Sequence, residues 1–266
     1  FKNTGKVAVI IPTLGNTDML FECLNSFYKH CDENIFHIFI ADTGSSVEEI
    51  EKVKKFKEEK SNITLVEYDY FNFAKINNDI VKNHVDGQYE FLLFCNNDIV
   101  LLNNIISGMI NVYKTKDKVG IVGSRLHYKD NTLQHDGVFI FMDYANKGID
   151  INYRNSKSYY NYSRGINEVF GVTSSLMMIK KSLFEKLNFF NENYQYYFED
   201  VDIATKLKIL GYHNYINSDC VSYHYDNTTN KIENKEQQMM KDYVDNLLPL
   251  IKDNFEKIKN FLLVKQ

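Results

Sequence analysis

At 266 residues the chain is long enough to bury a sizeable core as one large domain, with or without a small appendage, and too short for two full domains. Its formal charge of -4 excludes a basic surface field of the kind that draws a protein to nucleic acid as its main ligand. No apolar run reaches the roughly 18 residues needed to span a bilayer, and no charged-then-apolar secretory pattern opens the chain. Cys23, Cys31, Cys95 and Cys220 lack the paired spacing of zinc or redox motifs, so reduced, buried thiols in a cytosolic protein are expected. The only arginines are Arg125, Arg154 and Arg164, so an anion site must draw on one of these, a lysine, a metal or backbone amides. The first residue is Phe1 rather than Met, which fits a domain excised from a longer protein.

Val7 to Pro12 is a short β-branched run ended by proline and reads as a strand buried on both faces. Asp18 to Lys29 follows as a helix with Leu20, Leu24, Phe27 and Tyr28 on one face. Ile35 to Ala41 is a second strand, ending in the polar turn Asp42-Thr43-Gly44-Ser45-Ser46 before a helix over Glu48 to Lys60. Ile63 to Tyr68 is a third strand, Asn72 to Val85 a helix, and Phe91 to Phe94 a fourth strand. Strand alternating with helix predicts a doubly wound α/β domain whose sheet is mostly parallel and flanked by helices. In such sheets ligands gather beyond the carboxyl ends of the strands, where the turns after Ile11, Ala41 and Phe94 meet.

Further on, Ile105 to Tyr113 reads as a helix, and Val119 to Val122, Gly137 to Phe141 and Val169 to Ile179 read as strands. The polar stretch Asp143 to Arg164, rich in tyrosine between Tyr153 and Tyr162, is expected to be a substrate-facing loop. From Glu233 to Lys265, Met240, Tyr243, Val244, Leu247, Ile251, Phe255, Ile258 and Leu262 recur at spacings of three and four, an amphipathic helix bent or broken by Pro249. Its polar face mixes both signs, which favours docking on the domain or on a partner over lying on an anionic membrane.

Four groups of residues can carry chemistry. Asn96-Asn97-Asp98 ends an apolar strand with a carboxylate that can hold a hard divalent cation, and the same residues also suit a plain turn. Glu199, Asp200 and Asp202 crowd the start of a helix, where the dipole favours carboxylates as caps. The aromatic approach Tyr194 to Phe198 can shield one of them from water and raise its pKa towards that of a general base. His224, between two tyrosines, is a ligand or a structural imidazole, as is His135. Asp42 at a strand end can receive the imide of a nucleotide base or shape its own turn.

In chain order these segments resemble the family 2 glycosyltransferases, inverting enzymes of GT-A fold that use nucleotide sugars, over roughly residues 6 to 228. The nearest branch resembles bacterial rhamnosyl-, galactosyl- and N-acetylglucosaminyltransferases of surface polysaccharides. Val9-Ile10-Ile11-Pro12-Thr13 is similar to that family's opening strand, Ala41 to Ser45 to its base turn, and Phe73 to Asn78 to a segment flanking the diphosphate. Asn96-Asn97-Asp98 stands where the family has its Asp-x-Asp metal motif, with asparagine in place of the first aspartate. Val119 to Leu126, Gln134 to Gly137 and Phe170 to Ser175 resemble its central segments, Phe198 to Asp202 its Glu-Asp motif, and His224 its late metal-shell histidine.

The resemblance implies a GT-A domain over 1–228, with a nucleotide-binding half to about residue 100 and an acceptor-binding half from about 101, followed by a helical extension over 229–266. It implies Asp200 as the base with Glu199 beside it, and Mn2+ or Mg2+ held by Asp98 and His224. Pro12, Thr13, Asp42, Lys75, Asn78, Asn96 and Asn97 would face the nucleotide, and Arg125, His135, Thr173 and Ser174 the sugar or acceptor. The expected reaction moves a sugar from UDP-glucose, UDP-galactose or UDP-N-acetylglucosamine to a hydroxyl of a glycan or glycosylated protein, with inversion. A dTDP-rhamnose donor is the alternative, as are a non-catalytic nucleotide- or carbohydrate-binding module of the same fold and a scaffold domain of a larger assembly. The expected place is the cytoplasm, with docking to other domains, or peripheral attachment at the inner face of the plasma membrane, through the C-terminal helix.

Overall fold

The computed structural model describes residues 5–143, 148–153, 163–194, 197–226 and 235–264. Four apolar runs form parallel strands, β1 (Val7–Thr13), β2 (Phe36–Asp42), β3 (Ile63–Glu67) and β4 (Phe91–Cys95), in the spatial order β3-β2-β1-β4. Helices α1 (Thr17–His30), α2 (Val47–Glu58) and α3 (Phe73–Asn83) connect them. Continuous hydrophobicity follows from burial on both faces. Val7, Val9 and Ile11 pack with α1 and α2 on one side, and Ala8 and Ile10 with α3 on the other. Helix α2 starts on a capping box, in which Ser46 and Glu49 bond each other's backbone N–H.

The second half is less regular. It contains β5 (Ile99–Leu101), α4 (Ile105–Thr115), β6 (Val119–His127), β7 (Leu133–His135), β8 (Val138–Asp143), β9 (Gly148–Tyr153), β10 (Ile166–Val169), β11 (Leu176–Lys180), α5 (Lys181–Lys186), α6 (Glu199–Ile209) and β12 (His213–His224). The main sheet continues from β4 through β11, β6, β12 and β10, with β5 paired to β12 and β7 to β6. Strand β11 runs antiparallel to both β4 and β6, so the sheet is parallel on the β1 side and mixed beyond β4.

Four sequence expectations need correction. Val169 to Ile179 is two strands rather than one, because Phe170–Ser175 crosses between them and Gly171 pairs with Val138 in an isolated bridge. The strand at Val119 runs on to His127 alongside β12. Within Asp143–Arg164, Gly148–Tyr153 is a strand paired antiparallel with β8 rather than loop. The tyrosine-rich remainder, with Arg154, lies outside the described residues.

The fourth correction concerns the C-terminal amphipathic helix, which divides into α7 (Lys235–Asp242), a π turn (Tyr243–Leu247), α8 (Leu248–Asp253), α9 (Phe255–Ile258), a 3-10 turn (Lys259–Phe261) and β13 (Leu263–Val264). Pro249 stands in the first turn of α8, directly after the π turn, so the helical path departs from regular α geometry next to the proline. Leu247, Ile251 and Ile258 are fully buried in the α3 and α6 side of the core, whereas Met240 and Val244 are exposed. Lys208 of α6 donates to Glu168 Oε1 at 2.7 Å and lies 4.3 Å from the centre of the Phe261 ring. The segment therefore docks on the helix whose first turn bears the acidic cluster. β13 pairs parallel with β8, and β8, β9 and β13 make a separate three-stranded sheet.

Gly171 permits a close approach of α6 to the crossing between β10 and β11. A Cβ there would lie 2.8 Å from that of Ala204. Gly171→Ala should lower stability by about 1–3 kcal/mol, as overpacking does, and displace α6; urea unfolding that matches the parent would contradict this packing.

Candidate active site

At the carboxyl end of β4 the chain turns through Asn96, Asn97 and Asp98, with the Ile99 N–H donating to the Asn96 carbonyl at 3.3 Å. β5 then pairs antiparallel with the end of β12, and His224 sits opposite Ile99. This register brings Asp98 and His224 together across 126 residues of sequence: His224 Nε2 is 3.2 Å from Asp98 Oδ1. The Tyr225 N–H donates to the Asp98 carbonyl at 3.1 Å, closing the same corner through the backbone. His224 Nδ1 lies 2.8 Å from Gln134 Oε1 on β7, and Asn96 Nδ2 lies 3.4 Å from His224 Nε2.

This pair fits a divalent cation. An amide oxygen can only accept, so Nδ1 carries a proton and Nε2 is turned towards the Asp98 carboxylate oxygen, where the two atoms can serve as ligands to one cation. Among the described residues no group of three or more His, Cys, Asp or Glu side chains gathers for a metal. Two side chains are what a magnesium or manganese ion needs when substrate phosphates and water complete its shell.

The crossing at Phe170–Ser175 ties this corner to the acidic cluster. Ser175 Oγ accepts from Asn96 Nδ2 at 3.3 Å, and the Asn96 N–H donates to the Ser175 carbonyl at 2.9 Å. One residue earlier, the Ser174 hydroxyl donates to Glu199 Oε1 at 2.6 Å and its N–H to Asp200 Oδ2 at 3.3 Å. The Thr173 N–H donates to His135 Nε2 at 3.3 Å. Three consecutive residues thus join β4, β7 and the start of α6.

Helix α6 is buried along almost its whole length, its acidic first turn included. Phe198 precedes it at φ 75°, a left-handed conformation that a bulky residue adopts only under constraint from its surroundings. Burial pushes the Glu199 carboxyl up to about 8, and the neighbouring Asp200 charge adds to the shift. Asp202 is also raised by burial, against the pull of Lys206 at 2.5 Å, and accepts from Tyr194 Oη at 3.2 Å. Glu199 therefore holds its proton at neutral pH, and of the aromatic approach Tyr194 bonds Asp202.

On the β1 side, Thr13 Oγ1 accepts from Asn97 Nδ2 at 2.9 Å and the Thr13 carbonyl accepts from the Thr43 hydroxyl at 2.9 Å, so Thr13, Thr43 and Asn97 meet. Pro12 is buried in β1 opposite Ala41. Asp42 Oδ1 accepts from the Gly44 and Ser45 N–H groups at 3.0 and 2.9 Å, and Oδ2 accepts from the Ser45 hydroxyl, so its carboxylate shapes the turn. Lys75 is exposed, 4.6 Å from the centre of the Tyr70 ring.

Other candidates point elsewhere. Asn78 is buried, donating to the Phe190 carbonyl and Glu192 Oε1 and accepting from the Phe190 N–H, so it anchors the segment after α5. Burial and the adjacent His224 lower the His135 ring to about 3, leaving it a neutral acceptor for Thr173. Arg125 donates to the Ser163 carbonyl at 3.4 Å. Sequence reading gave no role to Gln134 or Ser175.

The family model for glycosyl transferase family 2 matches residues 8–187. The chain belongs to this family. Among curated relatives, the uncharacterized protein y4gI of Sinorhizobium fredii is 24% identical over 233 residues, 86% of this chain and 25% of that protein. O-antigen biosynthesis protein RfbC of Myxococcus xanthus is 24% identical over 212 residues, 79% of this chain and 16% of that protein. The family 2 chain thus spans a quarter or less of these relatives' length. Among solved structures, GalNAc-T7 with UDP, GalNAc and Mn2+ superposes with a TM-score of 0.67 at 13% identity, over 84% of this chain and 44% of that one. The mannosyltransferase PcManGT of Pyrobaculum calidifontis with GDP-Man and Mn2+ superposes at 0.60 and 17% identity, over 95% of this chain and 68% of that one. Both likenesses establish the GT-A fold for this family 2 domain.

The Glu199 shift has a measurable consequence. Between its ordinary 4.5 and about 8, the folded chain holds a proton that the unfolded chain has released, so stability falls as pH rises through that window. Glu199→Gln should flatten the fall in urea-unfolding free energy between pH 5 and 8; an unchanged slope would remove Glu199 as its source.

Proposed function

We infer that the domain transfers a sugar from a nucleoside diphosphate sugar to an acceptor hydroxyl by a single displacement that inverts the anomeric carbon. The observation that carries this reading is the joining of the Asp98–His224 pair to the Glu199–Asp200 pair through Ser174, Ser175 and Asn96. All stand at the strand end where α/β sheets bind ligands.

Asp200 is the base. It takes the proton of the acceptor hydroxyl as that oxygen bonds to the anomeric carbon, while the bond from that carbon to the diphosphate oxygen breaks and the nucleoside diphosphate leaves. Both Asp200 oxygens accept backbone N–H groups, from Val201 at 2.8 Å and from Ser174 at 3.3 Å, which fixes the carboxylate's direction. Glu199, neutral and bonded to Ser174, supports that geometry without adding a second negative charge. Asp98 and His224 would hold a divalent cation, Mn2+ or Mg2+, which when bound offsets charge on the departing diphosphate.

Thr13, Asn97 and the Asp42 turn would receive the nucleoside. A uridine nucleotide is the reading adopted, supported by the UDP in the GalNAc-T7 structure; the GDP-Man in PcManGT shows that the fold itself accepts different bases. A glycan or glycosylated protein is the proposed acceptor, and polysaccharide assembly the setting, supported by the likeness to RfbC.

Asp200→Asn should lower turnover by about 10²–10⁴-fold, the usual contribution of a positioned base, while nucleotide affinity stays close to the parent's. Parallel loss of turnover and nucleotide binding would assign Asp200 a structural role instead.

A further inference from the structure

Gln134 makes two contacts to one residue. Its Oε1 is 2.8 Å from His224 Nδ1, and its Nε2 donates to the His224 carbonyl at 3.5 Å. The backbone contact decides which way the amide faces, since only the NH2 end can donate to a carbonyl, and it leaves the oxygen against the ring. The opposite orientation would put two donors against Nδ1 and demand the other tautomer.

Strand β7 holds Gln134 for this task. Its neighbours Leu133 and His135 are buried, and β7 pairs with β6 through Leu126–His135 and His127–Leu133, so alternation turns Gln134 to the other face, towards the end of β12.

We propose that Gln134 is a positioning residue that locks His224 with its proton on Nδ1, so that Nε2 faces Asp98 ready to bind a cation. The inference rests on the reading of Asp98 and His224 as the metal-holding pair. The metal never touches Gln134; the amide acts through the ring, fixing the tautomer and turning the lone pair to the same point as Asp98 Oδ1, 3.2 Å away. Partners of this kind are worth about 10–100-fold in metal affinity.

The test uses Gln134→Met, which keeps length and volume but removes the acceptor, and Gln134→Glu, which keeps an oxygen against Nδ1. Nitrogen-15 NMR of the histidine-labelled, metal-free protein reads the tautomer, with the His224 signals assigned by their loss in His224→Asn. Mn2+ affinity is read separately by electron paramagnetic resonance. The parent and Gln134→Glu should show the Nδ1-protonated ring and similar Mn2+ affinity. Gln134→Met should show a mixture of tautomers and bind Mn2+ about 10-fold more weakly, with unchanged thermal unfolding. A parent ring with no proton on Nδ1, or a Gln134→Met variant with the parent's Nδ1 protonation and affinity, would overturn the proposal. A parent that binds no Mn2+ yet loses its Nδ1-protonated ring in Gln134→Met would overturn the metal reading and leave the positioning role standing.

Discussion

The pairing of a three-residue strand, Ile99–Leu101, with the far end of β12 is the constraint on which the site depends. Without it Asp98 would end a turn beside a buried strand, and His224 would sit at the end of an unrelated one. With His224 opposite Ile99, the carboxylate and imidazole meet, and the Tyr225 N–H to Asp98 carbonyl bond holds the corner from the other side. A one-residue slip would turn His224 to the opposite face. Strand β12 can keep that register because it also runs parallel to β6 for much of its length, absorbing a bulge between Asn217 and Val221.

A second layer of organisation lies in the crossing between β10 and β11. Residues 173 to 175 are short and polar, so three side chains and their backbone reach three separate elements: His135, the acidic first turn of α6, and Asn96. Ser174 treats the two buried carboxyl groups Glu199 and Asp200 differently: its hydroxyl donates to Glu199, which burial pushes up, and its N–H to Asp200, which also accepts from the Val201 N–H. The same turn is braced from behind. Leu247, Ile251 and Ile258 pack into the α6 side of the core, and the buried ammonium of Lys208 meets both Glu168 and the Phe261 ring. The C-terminal segment thus contributes to the rigidity of the helix that bears the proposed base.

The parallel half of the fold was legible in the sequence because its strands are buried on both faces and announce themselves as unbroken β-branched and aromatic runs. Residues 7–13, 36–42 and 91–95 follow that rule, and the intervening helices show clear 3.6-residue periodicity. β12 does not. Asn214, Asn217, Ser218 and Ser222 are all buried in it, and Asn214 alone donates to the Phe170 and Ala204 carbonyls and accepts from the Ile121 N–H. A strand with that many polar residues does not announce itself as an apolar run. Asp98, Asp200 and His224 stood out as residue types in context, but their grouping rests on the Asp98–His224 contact across 126 residues and on the Ser174–Asp200 and Asn96–Ser175 links, 26 and 79 residues apart, which no local spacing encodes. Gln134 had no signal of its own, because its role is defined only by the ring it faces.

The most direct test of the account is a calorimetric titration of the domain with UDP, in Mn2+ and again in chelator. Tight binding in Mn2+ that weakens at least tenfold in chelator is the result the Asp98–His224 site predicts. Binding of equal strength in both, or none in either, would contradict a metal-assisted nucleotide-sugar site.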